Sequence, residues 1–134
     1  MFDVLDIGAS GLQAQRTRLD TIAANIANAQ TTHDAAGQPN PYRRRFVVFE
    51  PGRPDNPGAP GVRVSKVGLD QSPFNLRHEP WSKDADKNGY VKYPNIDTAI
   101  EYVNALEASR AYEANISMLE TSKAMINSTL RLIA

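Results

Sequence analysis

The chain has 134 residues, enough for one ordinary domain. Its 15 basic residues balance its 15 acidic residues, so the net charge gives no indication of a nucleic-acid or anionic-membrane partner. The chain has no cysteine, so disulfides and thiolate metal sites are excluded. No apolar run approaches the length of about 18 residues that a membrane-spanning helix needs. Asp3 and Asp6 stand where a secretory signal needs basic residues, so no cleaved signal peptide is expected.

A helix is predicted near the start of the chain, from about Asp3 to Asn28. Apolar residues recur there at every seventh position, namely Leu5, Leu12, Leu19 and Ile26, and Ile22 lies on the same face. This spacing is close to that of a coiled-coil seam. Gly8 and Gly11 each weaken the first turns by up to about 1 kcal/mol relative to alanine, so the helix needs a packing partner.

Two asparagines stand near the end of this helix, although amide side chains are poor helix formers and costly to bury. Asn28 lies off the apolar stripe, where asparagine tolerates the left-handed conformation and caps loose carbonyl groups. Asn25 borders the stripe. We therefore expect Asn28 to end the helix, and Asn25 to become buried and hydrogen-bonded in an assembly, where it sets the register.

All nine prolines lie between Pro39 and Pro94, and no long helix fits in that stretch. Short strands are predicted at residues 46–50, 61–67 and 89–93, where β-branched and aromatic residues cluster or alternate. Between the first two, PGRPDNPGAP has a proline at every third position, which predicts an extended polyproline-II loop over residues 51–61. This loop is either a plain connector or a docking site for a proline-reading module.

Tyr42 and the three arginines that follow it form a basic cluster. Readers of single-stranded nucleic acid combine such charges with aromatic rings, but one short cluster in a neutral chain supports that function weakly. In a strand, Arg43 and Arg45 point to one face and Arg44 to the other. The alternation favours inter-subunit ion pairs or solvent over a binding platform.

The best metal candidate is DADKNG at residues 84–89, which matches the opening of a calcium-binding loop. The match fails later, because Asn95 stands where the loop needs a bidentate glutamate. A tight turn into the following strand is therefore the better interpretation. His33 and His78 lie in connections without a framed nucleophile, so neither catalysis nor a cofactor or metal is expected.

A second, longer helix is predicted from about Asn95 to Leu132, with Asn95 as its N-cap. Its apolar stripe contains Tyr112, Ile116, Leu119, Ile126 and Leu130, and Met118, Met125 and Leu132 widen it. One partner helix cannot cover so broad a stripe, so further chains are expected to pack against it.

The predicted fold is mainly α with a small β element. The helices at residues 1–30 and 95–134 are expected to pair as a coiled coil and to form one discontinuous domain. Residues 31–94 form a middle region that is rich in strands and loops, with the proline-rich loop at residues 51–61.

Several stretches together carry a family likeness. LDTIAANIANAQTT resembles the N-terminal signature of flagellar axial proteins, and the paired asparagines are its most recognisable part. YRRRFVVFE, PFNLRHEP, GYVKYPNI and ALEASRAYEANISMLETSKAMI narrow the resemblance to the proximal rod proteins of the bacterial flagellar basal body. The likeness covers nearly the whole chain and keeps the order of these segments.

The resemblance implies a non-enzymatic, self-assembling subunit of the periplasmic rod, the drive shaft that transmits torque and is required for motility. Implied partners are copies of the chain, other rod proteins and the flagellar type III export apparatus, through which the chain leaves without a cleaved signal peptide. No nucleic acid, small-molecule substrate or membrane insertion is implied. The expected subunit interface comprises Leu12, Leu19, Ile22, Asn25, Ile26, Asn28, Tyr112, Ile116, Leu119, Ile126 and Leu130.

Three alternatives stay open at this point. The chain resembles, less closely, the sister proximal-rod protein of similar length. It also suits a soluble helical-hairpin adaptor that recruits a partner through the loop at residues 51–61 or through the methionine stripe. A calcium-regulated or hydrolytic protein would use Asp84, Asp86 or His78.

Overall fold

The structure, a computed structural model, describes residues 2–134, so Met1 of the predicted range 1–30 lies outside the described residues. Within them the elements are helix α1 (Phe2–Ala27), strands β1 (Arg45–Pro51), β2 (Val62–Leu69), β3 (Asn75–His78) and β4 (Tyr90–Tyr93), and helix α2 (Thr98–Ile133). Two helices and two small antiparallel sheets agree with the predicted mainly α fold with a small β element.

Helix α1 ends where the asparagines predicted a stop. The Asn28 amide donates to the carbonyl oxygen of Ala24 at 2.8 Å, and Thr31 donates to the Asn28 side-chain oxygen at 3.1 Å. The Ala24 carbonyl oxygen also accepts from the Asn28 backbone amide at 3.1 Å, so the Asn28 side chain adds a second hydrogen bond to a paired carbonyl group, and the expected cap on a loose carbonyl group does not form. The left-handed conformation is not used, because no non-glycine residue in the described part of the chain has a positive φ.

Helix α2 begins three residues later than predicted, and Asn95 is not its N-cap. The cap is Asp97, whose carboxylate accepts from the backbone amides of Ala99 at 3.0 Å and Ile100 at 3.4 Å. Asn95 is unavailable for this role because its side chain accepts from the Arg44 amide and donates to the Asp70 carbonyl oxygen.

The two helices pack antiparallel. Arg18 of α1 lies 3.6 Å from Glu107 of α2 between charged atoms, and closer to the end of α1 the Asn25 amide lies 3.2 Å from the carboxylate of Glu101, near the start of α2. Helix α2 has 36 residues and α1 has 26, which correspond to about 54 and 39 Å at 1.5 Å per residue. The C-terminal end of α2 therefore extends past the start of α1, and residues 127–133 are called the overhang below.

The strands form two separate hairpins. β1 pairs with β2, with an irregularity between Val48 and Phe49, and β3 pairs with β4. The three predicted strands are confirmed as β1, β2 and β4, with bounds shifted by up to two residues. β3 was not predicted because NLRH is short, has no β-branched residue and is exposed throughout.

The proline-rich loop is not an extended polyproline-II segment. Arg53 and Asn56 exchange backbone hydrogen bonds of 3.1 and 3.2 Å, which close a tight turn, whereas polyproline II has no internal hydrogen bonds. The Arg53 guanidinium also lies 3.4 Å from the Asp6 carboxylate and 3.8 Å from that of Asp3. The loop thus folds back onto the first turns of α1.

The apolar core is small. Its buried hydrophobic residues are Ala14, Ile22, Ala29, Val91, Ile96 and Ala108. The largest fully buried side chains are instead Glu101, Asn25 and Pro94, two of which are polar. Within the described residues, neither helix combines the length and apolar character that a bilayer span requires. Buried polar side chains therefore contribute to the packing between the elements.

Candidate subunit interface

Most residues of the expected interface lie along the two helices at buried or half-buried positions. Ile22 and Asn25 are buried, and the half-buried members are Leu12, Leu19, Ile26, Asn28, Tyr112, Ile116, Leu119 and Ile126. Leu130, which lies in the overhang, is exposed. The structure describes one copy, so the contacts of these residues with other subunits stay a prediction.

Sequence reasoning missed an apolar surface at the start of α2. Ile100, Val103 and Leu106 follow one another at three-residue spacing, and each is between 56% and 63% exposed. The spacing is a visible helical signal. It was overlooked because the broader stripe further along α2 dominated the pattern.

Asn25 joins the two helices to the first strand. Its amide donates to the Arg45 carbonyl oxygen at 2.8 Å and to the Glu101 carboxylate at 3.2 Å, and its side-chain oxygen accepts from the Arg45 amide at 3.0 Å. The side chain is 0% exposed. Asn25 was expected to become buried by assembly with other chains. That expectation is wrong, because β1 and α2 of the same chain already bury Asn25 and satisfy its amide group.

Glu101 is the acidic centre of this cluster and is 1% exposed. It pairs with the guanidinium of Arg44, which also lies 3.4 Å from the Asp70 carboxylate. A buried carboxylate is tolerated only when it is paired and hydrogen-bonded. Because both conditions are met, the buried polar cluster of Asn25, Arg44, Asp70, Asn95 and Glu101 holds α1, β1 and α2 together.

Asp70 and Asn95 complete the outer side of the cluster. The hydroxyl and the backbone amide of Ser72 donate to the Asp70 carboxylate, and these bonds, with a smaller effect of Arg44, hold the pKa of Asp70 below its ordinary value against the opposing effect of desolvation. The Asn95 amide donates to the carbonyl oxygens of Asp70 and Ser72. The cluster pairs groups of opposite charge and matches hydrogen-bond donors with acceptors, so its role is structural.

The arginine cluster is used inside the chain. Arg44 turns inward to Glu101, so the expected inter-subunit or solvent role is wrong for this residue. The guanidinium of Arg43 lies 4.2 Å above the Phe74 ring, and that of Arg45 lies 5.1 Å from the Tyr42 ring. A guanidinium already lies against each of these two rings, so the rings do not form a free stacking surface for bases.

The acidic loop at residues 84–89 forms the expected turn. The Asp86 carboxylate accepts from the backbone amides of Asn88 and Tyr90, both at 2.9 Å, and Gly89 has a φ of 84°. Asp84 instead lies 2.9 Å from the imidazole of His33. Across residues 2–134, no three His, Cys, Asp or Glu side chains are grouped so that they could hold a metal ion.

Gly8 permits a close approach of the two helices. A Cβ added there would lie 2.5 Å from Cδ2 and 2.8 Å from Cγ of Leu119. At Gly11 the nearest atom would be the Asn115 amide nitrogen at 3.0 Å, at the end of a flexible side chain. Gly8, which weakens α1 taken alone, therefore makes room for α2 to pack against it.

Gly8→Ala is expected to lower the free energy of unfolding by about 1–2 kcal/mol, because the overpacking cost exceeds the gain in helix propensity. Gly11→Ala is the matched control and should be neutral or slightly stabilising. Urea unfolding followed by circular dichroism measures both. Equal stabilisation by the two substitutions would show that α1 and α2 do not approach closely at Gly8.

Two family models match the two ends of the chain that pack together. "Flagella basal body rod protein" matches residues 5–32, which contain Asn25 and Asn28. "Flagellar basal body rod FlgEFG protein C-terminal" matches residues 87–132, which cover β4 and nearly all of α2. The matched segments therefore include the two helices whose contacts define the candidate interface.

Similar proteins align over nearly the whole chain. The flagellar basal-body rod protein FlgC of Salmonella typhimurium (strain LT2) is 43% identical over 132 residues, which cover 98% of this chain and 97% of that protein. The FlgC proteins of Borreliella burgdorferi and Bacillus subtilis are 37% identical over 151 residues and 36% over 146, covering 99% and 98% of this chain and 97% of each relative. The chain thus belongs to the FlgC family of flagellar basal-body rod proteins.

Proposed function

We propose that the chain is a proximal-rod subunit whose terminal helices pack as a coiled coil against further copies and against other rod proteins. Its family is structural and not enzymatic, so packing is the mechanism. The rod that these subunits build transmits torque from the motor and is needed for motility. The observation that carries the proposal is the apolar surface of α2 that remains uncovered after α1 has packed against it.

The overhang is the clearest part of this surface. Its apolar residues Leu130, Leu132 and Ile133 are between 56% and 88% exposed. Burying apolar surface contributes about 25 cal/mol per Å², so several such side chains stabilise an assembly by several kcal/mol in gross terms. In a rod, residues 1–30 and 95–134 form one discontinuous inner domain, and residues 31–94 lie outside it.

The small core fits delivery of the subunit by export. The described residues bury few large apolar side chains, and the charged Glu101 is among the most deeply buried. A chain with a small apolar core has little stability before assembly, and this suits its passage in unfolded form through the flagellar type III export apparatus. We place the assembled subunit in the periplasmic part of the basal body.

The test is Leu130→Glu, introduced into the chain in its own bacterium. A carboxylate in a buried apolar contact costs several kcal/mol, so swimming should be lost and basal bodies should lack a completed rod. Ser128→Glu is the matched control, since Ser128 is also exposed in the overhang.

Circular dichroism of the two purified variants checks that both fold equally well. Full swimming with Leu130→Glu in a correctly folded subunit would contradict assembly through the overhang.

A further inference from the structure

The proline-rich loop closes on itself at a neck of two glycines, and residues 52–61 are called the strap below. The backbone amide of Gly52 donates to the carbonyl oxygen of Gly61 at 3.0 Å. The two glycines have positive φ angles of 114° and 145°, which residues with a Cβ rarely adopt. A Cβ added at Gly61 would also lie 2.9 Å from the hydroxyl oxygen of Ser10 on α1. The neck of the strap therefore lies directly against α1.

Two attachments fasten the strap to one side of α1. The Arg53 guanidinium lies 3.4 Å from the carboxylate of Asp6 and 3.8 Å from that of Asp3, and the Arg53 side chain is only 13% exposed. The amide of Val62, directly after the neck, donates to the Ser10 hydroxyl at 3.2 Å. Asp3, Asp6 and Ser10 follow one another at spacings of three and four residues, so they share one face of the helix. The strap thus spans the first three turns of α1.

Arg53 is the charge on which the first attachment depends. Its guanidinium also lies 3.5 Å from the carboxylate of Asp55 within the strap, so it is surrounded by three carboxylates. Across residues 2–134, every ion pair of Asp3 and Asp6 is with Arg53. Without this cation the strap and the helix would bring carboxylates together, and attraction would change to repulsion.

A different side of the same three turns covers the apolar stripe of α2. A Cβ added at Gly8 would meet the side chains of Leu119 and Met118, both of which are half-buried. Gly8 and Gly11 each weaken these turns by up to about 1 kcal/mol relative to alanine. The start of α1 is therefore a weak piece of helix held between α2 and the strap, and its opening would uncover Leu119.

We propose that the strap controls the local opening of the first three turns of α1, and with it the exposure of the α2 stripe around Leu119. While Arg53 is paired with Asp3 and Asp6, the stripe stays covered. When salt screens these pairs, the turns open as a unit and the rest of the chain stays folded. The inference concerns the free chain, and it rests on the proposed function only in that the uncovered stripe is a packing surface for other chains.

Hydrogen exchange of the backbone amides of residues 6–12, measured on the full chain, tests this control. Earlier amides are left out because the first four of a helix have no helical acceptor. Arg53→Met keeps a side chain of similar reach and removes the charge. Exchange should become about fivefold faster, the factor that corresponds to a loss of about 1 kcal/mol. The amides of residues 101–108, around the buried Glu101 and Ala108, should exchange at an unchanged rate.

Arg63→Met is the matched control. Arg63 pairs with Glu50 across the first hairpin at 2.8 Å, so its replacement should leave the exchange of residues 6–12 unchanged. Sodium chloride at about 1 M, where the screening length is about 3 Å, should bring the wild type to the rate of Arg53→Met and should not change that variant. Asp6→Asn should also speed exchange, and its addition to Arg53→Met should have little further effect, because both substitutions break the same pair.

A cysteine probe reports the exposure of the α2 stripe. The chain has no cysteine of its own, so Leu119→Cys places a single thiol beneath the first turns of α1. A thiol reagent should label it faster in combination with Arg53→Met than in combination with Arg63→Met.

Four results would overturn the proposal. Equal exchange in Arg53→Met and Arg63→Met would show that Arg53 does not hold α1. Wild-type exchange at residues 6–12 as fast as that of an unstructured peptide would show that these turns already stand open. An equal increase at residues 101–108 would show that the opening is not local. Unchanged thiol labelling would show that the stripe stays covered. Each result leaves the rod function intact, because swimming with Leu130→Glu tests that function separately.

Discussion

Arg44→Met is expected to lower the free energy of unfolding by about 3 kcal/mol, because it leaves the carboxylate of Glu101 buried without its cation. This value is at the low end for a broken buried ion pair, since Arg44 itself is partly exposed and water can approach. For a small domain with few buried apolar residues, such a loss is a large fraction of the total stability. Urea unfolding followed by circular dichroism measures it.

Arg45→Met is the matched control for this prediction. Arg45 is exposed, and its side chain lies against the Tyr42 ring, so its replacement should cost less than about 1 kcal/mol. The double variant Arg44→Met/Glu101→Leu should recover part of the lost stability, because it removes the unpaired charge together with its partner. Equal effects of Arg44→Met and Arg45→Met would show that the Arg44–Glu101 pair does not hold the helices to β1.

Asn25→Leu is expected to destabilise the chain by about 2–4 kcal/mol, because it removes three hydrogen bonds at a position with no exposed surface. The amide and carbonyl groups of Arg45 and one oxygen of Glu101 lose their partner. Leucine has the same number of side-chain heavy atoms but a larger volume, so overpacking at this buried position adds to the loss. Thermal unfolding by circular dichroism gives the change, and the rate of self-association at matched folded concentration shows its effect on assembly.

Asn28→Leu is the control, since Asn28 is half-buried and its bonds are local to the end of α1. Its replacement should cost about 1 kcal/mol. Asn25→Asp separates hydrogen bonding from charge, because it keeps the shape but places a carboxylate beside Glu101, and it should destabilise more than Asn25→Leu. If Asn25→Leu leaves both stability and assembly unchanged, Asn25 does not set the register.

The helices and most strands were predictable because their signals are local. The seven-residue recurrence of Leu12, Leu19 and Ile26 identified α1, and the β-branched runs identified β1, β2 and β4. Strand β3 was not predictable, since NLRH has no strand pattern and is extended only because β4 pairs with it. A tertiary contact decides such a strand.

The loop and the cap show how neighbours in space override local preference. Prolines at every third position predicted an extended loop, but Arg53 reaches Asp3 and Asp6 on α1 and a tight turn forms instead. Asn95 and Asp97 are both good helix caps by residue type. Asp97 takes the role because the Asn95 amide is engaged with residues 44, 70 and 72.

The sequence by itself determined the two long helices, the middle region between them and the resemblance that identified the family. Periodicity and residue type act over a few neighbouring positions, so they can be read without a structure. Only the tertiary structure showed that Glu101 is buried, that Asn25 is satisfied within its own chain, and that the apolar residues at the start of α2 stay uncovered. Each of these depends on residues far apart in the chain, as in the contact of Asn25 with Glu101 across 76 positions, and burial and pairing at such distances follow from packing and leave no local pattern.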